Sequence, residues 1–289
     1  MISQTRYKDR PALCVRGARL TATFLPEDGG KLASLRSESY EYLQQRAGEQ
    51  YRRLYPDSDY VGAECSGFDD MFPTIDPYTP QDGPFCGVTY PDHGEVCRYS
   101  AQWRIKENTL QFLFDSKRFP IRFSKTISVG EKGGIAVEYD IKNKGNAAFP
   151  CLWAGHLMLN ASPDARIVTP FSPEAPIRTM FGKQLSRDRT LPQRPDGESY
   201  KFYYTNPLPE GFCGYRYADG KTLVLRFPKE TVKYLGIWIN NGSFEEMYNV
   251  ALEPCTAPYD RPDAAEQSNC ACEIAPNSSL HFCLTLDLE

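Results

Sequence analysis

The chain has 289 residues, 41% hydrophobic and 24% charged, an ordinary soluble balance that excludes bulk disorder, collagen and coiled coil. Its net charge of −4 argues against a nucleic-acid binder, which needs a net basic face. The 23 prolines and 21 glycines are spread along the chain and are costly inside helices. With aromatics at 13%, which favour strands, they point to an all-β protein.

The N-terminus, MISQTRYKDRPALCV, has no apolar stretch of signal-peptide length. Only Lys31–Ala47 and Glu95–Phe119 are long windows free of both Pro and Gly. The one segment with helical character is Glu41–Leu54, where QQRAGEQYRRL is polar and partly helix-favouring. CSGFDDMFPTID (65–76) interleaves Asp69, Asp70 and Asp76 with Phe68 and Phe72, which suits sugars, whose hydroxyls need acceptors and whose C–H faces stack on rings. If that segment is extended, Asp69 and Asp70 point to opposite faces. It has too few oxygen ligands for an EF-hand metal loop. Proline-rich loops are expected at 73–91, 162–176 and 190–212, and long loops often rim a site.

Period-2 alternation predicts strands with one buried face. Leu110, Phe112 and Phe114 share a phase, as do Ile135, Val137, Tyr139 and Ile141. The same holds for Leu223, Leu225 and Phe227, and for Leu280, Phe282, Leu284, Leu286 and Leu288. EKGG (131–134), NKGN (143–146) and ADGK (218–221) mark turns, the last two with chemistry suited to hairpins. CLWAGHLML (151–159) and KYLGIWIN (233–240) are apolar on both phases, so layers lie above and below them. A large antiparallel β-sandwich satisfies these patterns. A parallel βαβ fold does not, because no helical patterns sit between the strands. With no composition shift or internal repeat, residues 1–289 read as a single domain.

The ten cysteines include no C-x-x-C pair, so they read as small buried hydrophobes rather than zinc ligands. The most apolar segment, FPCLWAGHLMLNA, is too short to span a membrane. The chain is therefore expected to be cytoplasmic.

Four residues carry candidate chemistry. His281 alternates with buried leucines and is expected to face solvent. His93, in YPDHGEVCR, is either an exposed turn residue or part of a site. His156 shares a face with Leu152, Ala154 and Met158 inside a doubly apolar strand. Such a histidine is commonly a satisfied core residue, and otherwise a general acid or base with a tuned pKa. Glu253 ends the apolar strand of YNVALEPC and precedes Pro254. It is either a surface residue at a strand end or a carboxylate held in fixed geometry for proton transfer. No G-x-S-x-G elbow, P-loop, G-x-G-x-x-G or H-E-x-x-H occurs.

GGKLASL (29–35), GFDDMFPTI (67–75), DHGEVCR (92–98), WAGHLML (153–159) and ALEPCTAPYD (251–260) stand in an order and spacing that resembles the aldose 1-epimerase, or galactose mutarotase-like, family. The resemblance runs from about Leu20 to the C-terminus. It implies a large antiparallel β-sandwich, often called a supersandwich, with the sugar site on a concave sheet face. It implies His156 as general acid, Glu253 as general base, and His93 as a residue that holds the sugar ring and its oxygen. Arg98 matches the arginine after the H-G motif in hexose-phosphate-type members, and Asp70 and Trp238 are implied as further pocket residues. Where the family usually reads H-P-Y-F, this chain reads H-L-M-L, and it lacks the N-x-R pattern of true galactose mutarotases.

The implied activity interconverts the α and β anomers of a hexose or hexose derivative by acid–base ring opening and closure. It needs no cofactor or metal and takes a small-molecule sugar, with no nucleic-acid or membrane partner. A non-catalytic carbohydrate-binding protein on the same scaffold is the alternative. A lyase or hydrolase is a weaker third reading, since a hydrolase needs two suitably separated carboxylates, here Asp70 with Glu253. Arg52, Arg53 and Arg98 are candidates for binding a phosphate. The identity of the sugar and the oligomeric state stay open.

Overall fold

A computed structural model describes residues 1–38, 40–162, 164–182 and 196–289. Two large antiparallel sheets face each other, and among the described residues they have 11 and 8 strands. The larger runs, in spatial order, through Ile2–Tyr7, Arg10–Arg16, Thr21–Leu25, Lys31–Ser37, Phe68–Met71, Ala154–Asn160, Tyr248–Cys255, Tyr234–Asn241, Glu198–Tyr204 and Ile177–Phe181, with Tyr40–Glu41 paired beside Lys31–Ser37. The smaller is built on the hairpin Ile121–Val129 and Ile135–Asn143 and on Ser279–Leu288. The fold is the large antiparallel β-sandwich expected from the alternation.

Strand phase explains the layers. In the smaller sheet Phe112, Ile127, Val137 and Leu284 point inward, with His281 and Cys283 exposed on the opposite phase. In the larger sheet Leu157, Leu252, Leu235, Ile237 and Phe202 point into the same inter-sheet core. Their neighbours Met158, Ala251, Trp238 and Tyr203 point the other way, into a second apolar cluster with Tyr60 and Ile75. Leu54, Tyr60, Ala63 and Cys65, together with Ile75 and Cys97, cover that second face. Both phases of the central strands are therefore buried, and the second face carries the cavity described below.

Three sequence expectations are corrected. No helix forms over Glu41–Leu54. The Glu41 carboxylate accepts the backbone N–H groups of Leu35 at 2.9 Å and Leu43 at 3.0 Å, and Leu43 bridges to Leu159, so the chain stays extended. The single α-helix among the described residues is Pro262–Gln267. The loop expected at 190–212 contains the strand Glu198–Tyr204, because Tyr200, Phe202 and Tyr204 supply inter-sheet core; the rest of that loop up to 195 lies outside the described residues. NKGN is not a hairpin turn: the strand Ile135–Asn143 is followed by Phe149–Pro150, which pairs in a separate ladder with Glu273–Ile274. The Asn143 side chain instead accepts from Gly145 N–H at 2.9 Å and donates to Ala147 O at 2.8 Å, the local bonding that makes Asn a turn residue.

Asp70 does not face the cavity. It points into the sandwich, where Lys125 Nζ of the smaller sheet lies 2.6 Å from Oδ2 and Trp153 Nε1 donates to Oδ1 at 3.0 Å. The ion pair cross-links the two sheets with both side chains at 4% exposure or less. Breaking a buried pair from one side leaves an uncompensated charge and costs about 3–5 kcal/mol. Lys125→Met is therefore expected to lose about that much in urea unfolding at pH 7; a loss under about 1 kcal/mol, the value of an exposed pair, would show that the bridge is solvated.

No helix among the described residues is long and apolar enough to cross a membrane.

Candidate active site

The register of two central strands brings the candidate acid and base together. Ala154 pairs with Cys255 and Leu157 with Leu252, so His156 stands directly opposite Glu253 on the covered face. Directly opposed residues have Cβ atoms about 4.5–5.5 Å apart. Here His156 Nε2 lies 3.7 Å from Glu253 Oε1, with both side chains at 5% exposure or less. They sit in a cavity of about 300 Å³ that Tyr60, His93, Lys201, Trp238 and Asp260 also line.

Aromatic and imidazole rings form the walls. His93 stacks on Tyr60 with centroids 3.8 Å apart and planes 5° from parallel. The His156 ring stands edge-on to the His93 ring at 5.9 Å, and Trp238 lies 5.8 Å from His156. Tyr60 is fixed from below: its hydroxyl donates to Asp69 Oδ2 at 2.9 Å, which Lys31 Nζ also reaches at 2.8 Å. Asp69 and Asp70 thus serve opposite faces of one strand, Asp69 under the cavity and Asp70 between the sheets. Asp92 Oδ1 bonds His93 Nδ1 at 2.8 Å, which leaves Nε2 as the ring nitrogen available to a ligand. Against its burial, the hydrogen bond from His93 and the His93 and Arg98 charges hold the Asp92 carboxyl below its ordinary value.

Arg98 does not line the cavity. Its guanidinium is 3% exposed and is spent on backbone carbonyls: Asp92 at 2.7 Å, Gly94 at 3.1 Å, Tyr55 at 3.1 Å, Pro56 at 3.0 Å and Ser58 at 2.7 Å. These bonds tie the segment carrying His93 to the segment carrying Tyr60, so Arg98 positions the stacked pair from behind. The other candidate phosphate ligands also point elsewhere. Arg53 donates to Glu27 O at 2.7 Å, and Arg52 lies 3.9 Å from Glu245.

Besides Tyr60, two residues of this candidate site escape a sequence reading. Lys201 Nζ lies 2.9 Å from Glu253 Oε2 and 2.8 Å from Asp260 Oδ1, and Tyr203 donates to the same Asp260 oxygen at 2.6 Å. The available signal for Lys201 was a lysine inside the aromatic strand ESYKFYY, on the phase of Tyr203. Asp260 closes the ALEPCTAPYD segment but lies outside any strand. It and Tyr259 adopt left-handed φ values of 67° and 71°, which cost about 1–3 kcal/mol each for non-glycine residues. The conformation is held because the Asp260 carbonyl accepts N–H groups from Ile75 at 2.9 Å and Asp76 at 3.0 Å, and the Thr74 hydroxyl at 3.1 Å. Gly236 stands in register between Tyr203 and Glu253. A Cβ there would lie 2.7 Å from the Tyr203 ring, so the bare backbone lets that ring lie across towards Asp260.

Burial and charge set the protonation states. Burial, reinforced by the His93, Lys201 and Lys31 charges, pushes the His156 imidazole well below its ordinary value, so it is neutral at pH 7. Burial raises the Glu253 carboxyl, the Lys201 charge opposes this, and the Asp260 charge adds to it. Against the cost of burial, Asp260 and Glu253 raise the Lys201 ammonium, so it stays charged. Neither Glu253 oxygen nor His156 Nδ1 makes a hydrogen bond of good geometry with the described residues. A buried polar group without a partner is costly, and both residues line the cavity. The arrangement combines a basic carboxylate, a neutral N–H donor and a fixed cation around one small chamber. Among the described residues, no group of three or more His, Cys, Asp or Glu side chains is placed to hold a metal ion.

No protein-family model matches the sequence, and no curated protein matches it. Solved structures do. A galactose mutarotase-like protein from Clostridium acetobutylicum is 16% identical, with a TM-score of 0.68 over 100% of this chain and 98% of its own. A provisionally named aldose 1-epimerase from Escherichia coli K12 is 13% identical, with a TM-score of 0.68 over 100% of this chain and 99% of its own. A galactose mutarotase related enzyme from Lactobacillus acidophilus is 15% identical, with a TM-score of 0.67 over 96% of this chain and 97% of its own. At these identities the likeness is one of fold, and the chain has the galactose mutarotase-like β-sandwich fold.

Proposed function

We propose that the protein is a mutarotase, an aldose 1-epimerase acting on an unphosphorylated monosaccharide. The observation that carries this reading is the direct opposition of His156 and Glu253 across two paired strands, 3.7 Å apart in a monosaccharide-sized cavity. The two oxygens of a cyclic hemiacetal sit on one carbon. A base and a donor this close can serve both at once.

Glu253 takes the anomeric O–H proton and passes it to the ring oxygen as the bond from that oxygen to the anomeric carbon breaks, while the neutral His156 holds the ring oxygen by an N–H hydrogen bond. Rotation about the adjacent carbon–carbon bond turns the other face of the aldehyde inward. Reversal of both transfers recloses the ring as the other anomer. Lys201 keeps Glu253 ionised enough to act as base, and the stacked Tyr60–His93 pair and Trp238 offer faces to the sugar C–H groups. Lys201 is the only cationic side chain among the described residues lining the cavity, and it already faces two carboxylates. That balance supports an uncharged sugar over a phosphorylated one.

The test is anomer exchange followed by NMR on a panel of aldoses and aldose phosphates. Faster equilibration of at least one unphosphorylated aldose is expected. Sugar binding with no exchange enhancement would make the chain a carbohydrate-binding protein instead, and enhancement confined to phosphates would overturn the substrate class.

A further inference from the structure

Ten cysteines without a paired motif read in sequence as inert buried hydrophobes, but two of them meet. The ladder that pairs Phe149 with Ile274 and Pro150 with Glu273 places Cys151 opposite Cys272 as its next step. The Cys151 N–H donates to Cys272 O at 3.0 Å, so this is a hydrogen-bonded position. Residues so opposed have Cα atoms about 5.5 Å apart, inside the disulfide range of about 4.4–6.8 Å. Cys151 lies in the inter-sheet core, and Cys272 packs against it.

The two sulfurs differ in environment. Cys151 is fully buried, whereas Cys272 is half-buried and within reach of a small oxidant. We propose that Cys151 and Cys272 are a peroxide-responsive thiol pair that closes to a disulfide. The neighbouring Cys151 and Thr256 side chains, with the Lys233 charge, lower the Cys272 thiol to about 7, while burial pushes Cys151 well above its ordinary value. Cys272 is thus the thiolate that reacts first, and Cys151 is the resolving thiol.

The steps balance. The Cys272 thiolate attacks the terminal oxygen of a hydroperoxide; the O–O bond breaks, and the departing alkoxide or hydroxide takes a proton. Cys272 becomes a sulfenic acid. The Cys151 sulfur then attacks the Cys272 sulfur, the S–S bond forms, the S–O bond breaks, and hydroxide leaves as water with the Cys151 proton. One hydroperoxide is reduced by two electrons and two thiols become one disulfide, which a dithiol reductant reverses.

The test treats the full chain at pH 7 with hydrogen peroxide, blocks free thiols by alkylation after acid quenching, and maps peptides by mass spectrometry. A Cys151–Cys272 linked peptide that disappears on dithiothreitol treatment is expected before any other crosslink. Alkylation of Cys272 in the reduced protein should reach half its limiting rate near pH 7. Cys255→Ser should leave the link intact; Cys255 is the competing thiol because it belongs to the second buried cluster, against which Cys272 packs. Loss of the link in that variant, or oxidation of Cys272 to a sulfinic acid with Cys151 still alkylatable, would overturn the proposal.

Discussion

Glu253→Gln is expected to lower the anomer-exchange rate by about 10²–10⁴-fold, the usual contribution of one positioned proton transfer, while sugar affinity stays near that of the unaltered protein. Gln has nearly the same shape, but its amide cannot accept the anomeric proton at neutral pH. The Lys201–Asp260 contact at 2.8 Å survives the change and keeps the floor of the cavity charge-paired. In the unaltered protein Glu253 must be ionised to act. Burial raises its carboxyl, so activity falls, as pH is lowered, above the range where an ordinary glutamate titrates. Exchange kinetics from pH 4 to 8 check both points. A Glu253→Gln protein with undiminished exchange would remove Glu253 from the reaction.

Lys201→Met is expected to move the acidic limb of the rate profile upward by about 1–3 pH units, the effect of an opposite charge at this distance. The lysine lies 2.9 Å from Glu253 and 2.8 Å from Asp260, and without it two buried carboxylates face each other unscreened. One of them then holds a proton near neutrality, and the proposed base is lost at pH values where the unaltered protein keeps it. The stability consequence has a definite sign. A carboxyl raised in the folded state binds more protons there than when unfolded, so stability falls as pH rises. Lys201→Met should therefore be more stable to urea at pH 5 than at pH 7. Lys201→Arg keeps the charge and should restore much of the acidic limb. A uniform rate loss with an unmoved profile would reduce Lys201 to a packing role.

Both predictions involve a residue that strand periodicity places on a face without naming its partners. His156 and Glu253 were visible because each interrupts an apolar strand with a titratable group, and their phases, with Met158 and Ala251, assign them to one side of their strands. Asp70 shows the limit of that argument. Asp69 and Asp70 are adjacent carboxylates in one extended segment, and periodicity says only that they point apart. Which of the two lies beneath the cavity depends on which side of the strand faces the second sheet. Lys125 comes from that sheet, 55 residues along the chain from Asp70.

Arg98 misleads for a related reason. An arginine beside a histidine in a loop carries no mark in sequence that separates a ligand of substrate from a clamp on carbonyls. Five carbonyl groups from two loops decide the matter, and their convergence is a property of loop packing. Glu41–Leu54 has the composition of a short polar helix. Intrinsic propensity differences are at most about 0.7 kcal/mol per ordinary residue, so the Glu41 carboxylate bonds and the Leu43–Leu159 bridge outweigh them.

Sequence by itself determined the all-β class, the buried phase of the long strands and the unusual placement of His156 and Glu253. These follow from local alternation, which depends only on the two-residue repeat of a strand. Tertiary structure alone decided that Glu253 and Asp260 share Lys201, that Asp70 and Arg98 serve the scaffold, and that Cys151 meets Cys272. Those outcomes depend on register between strands far apart in the chain, because a slip of one residue exchanges every inward group for an outward one.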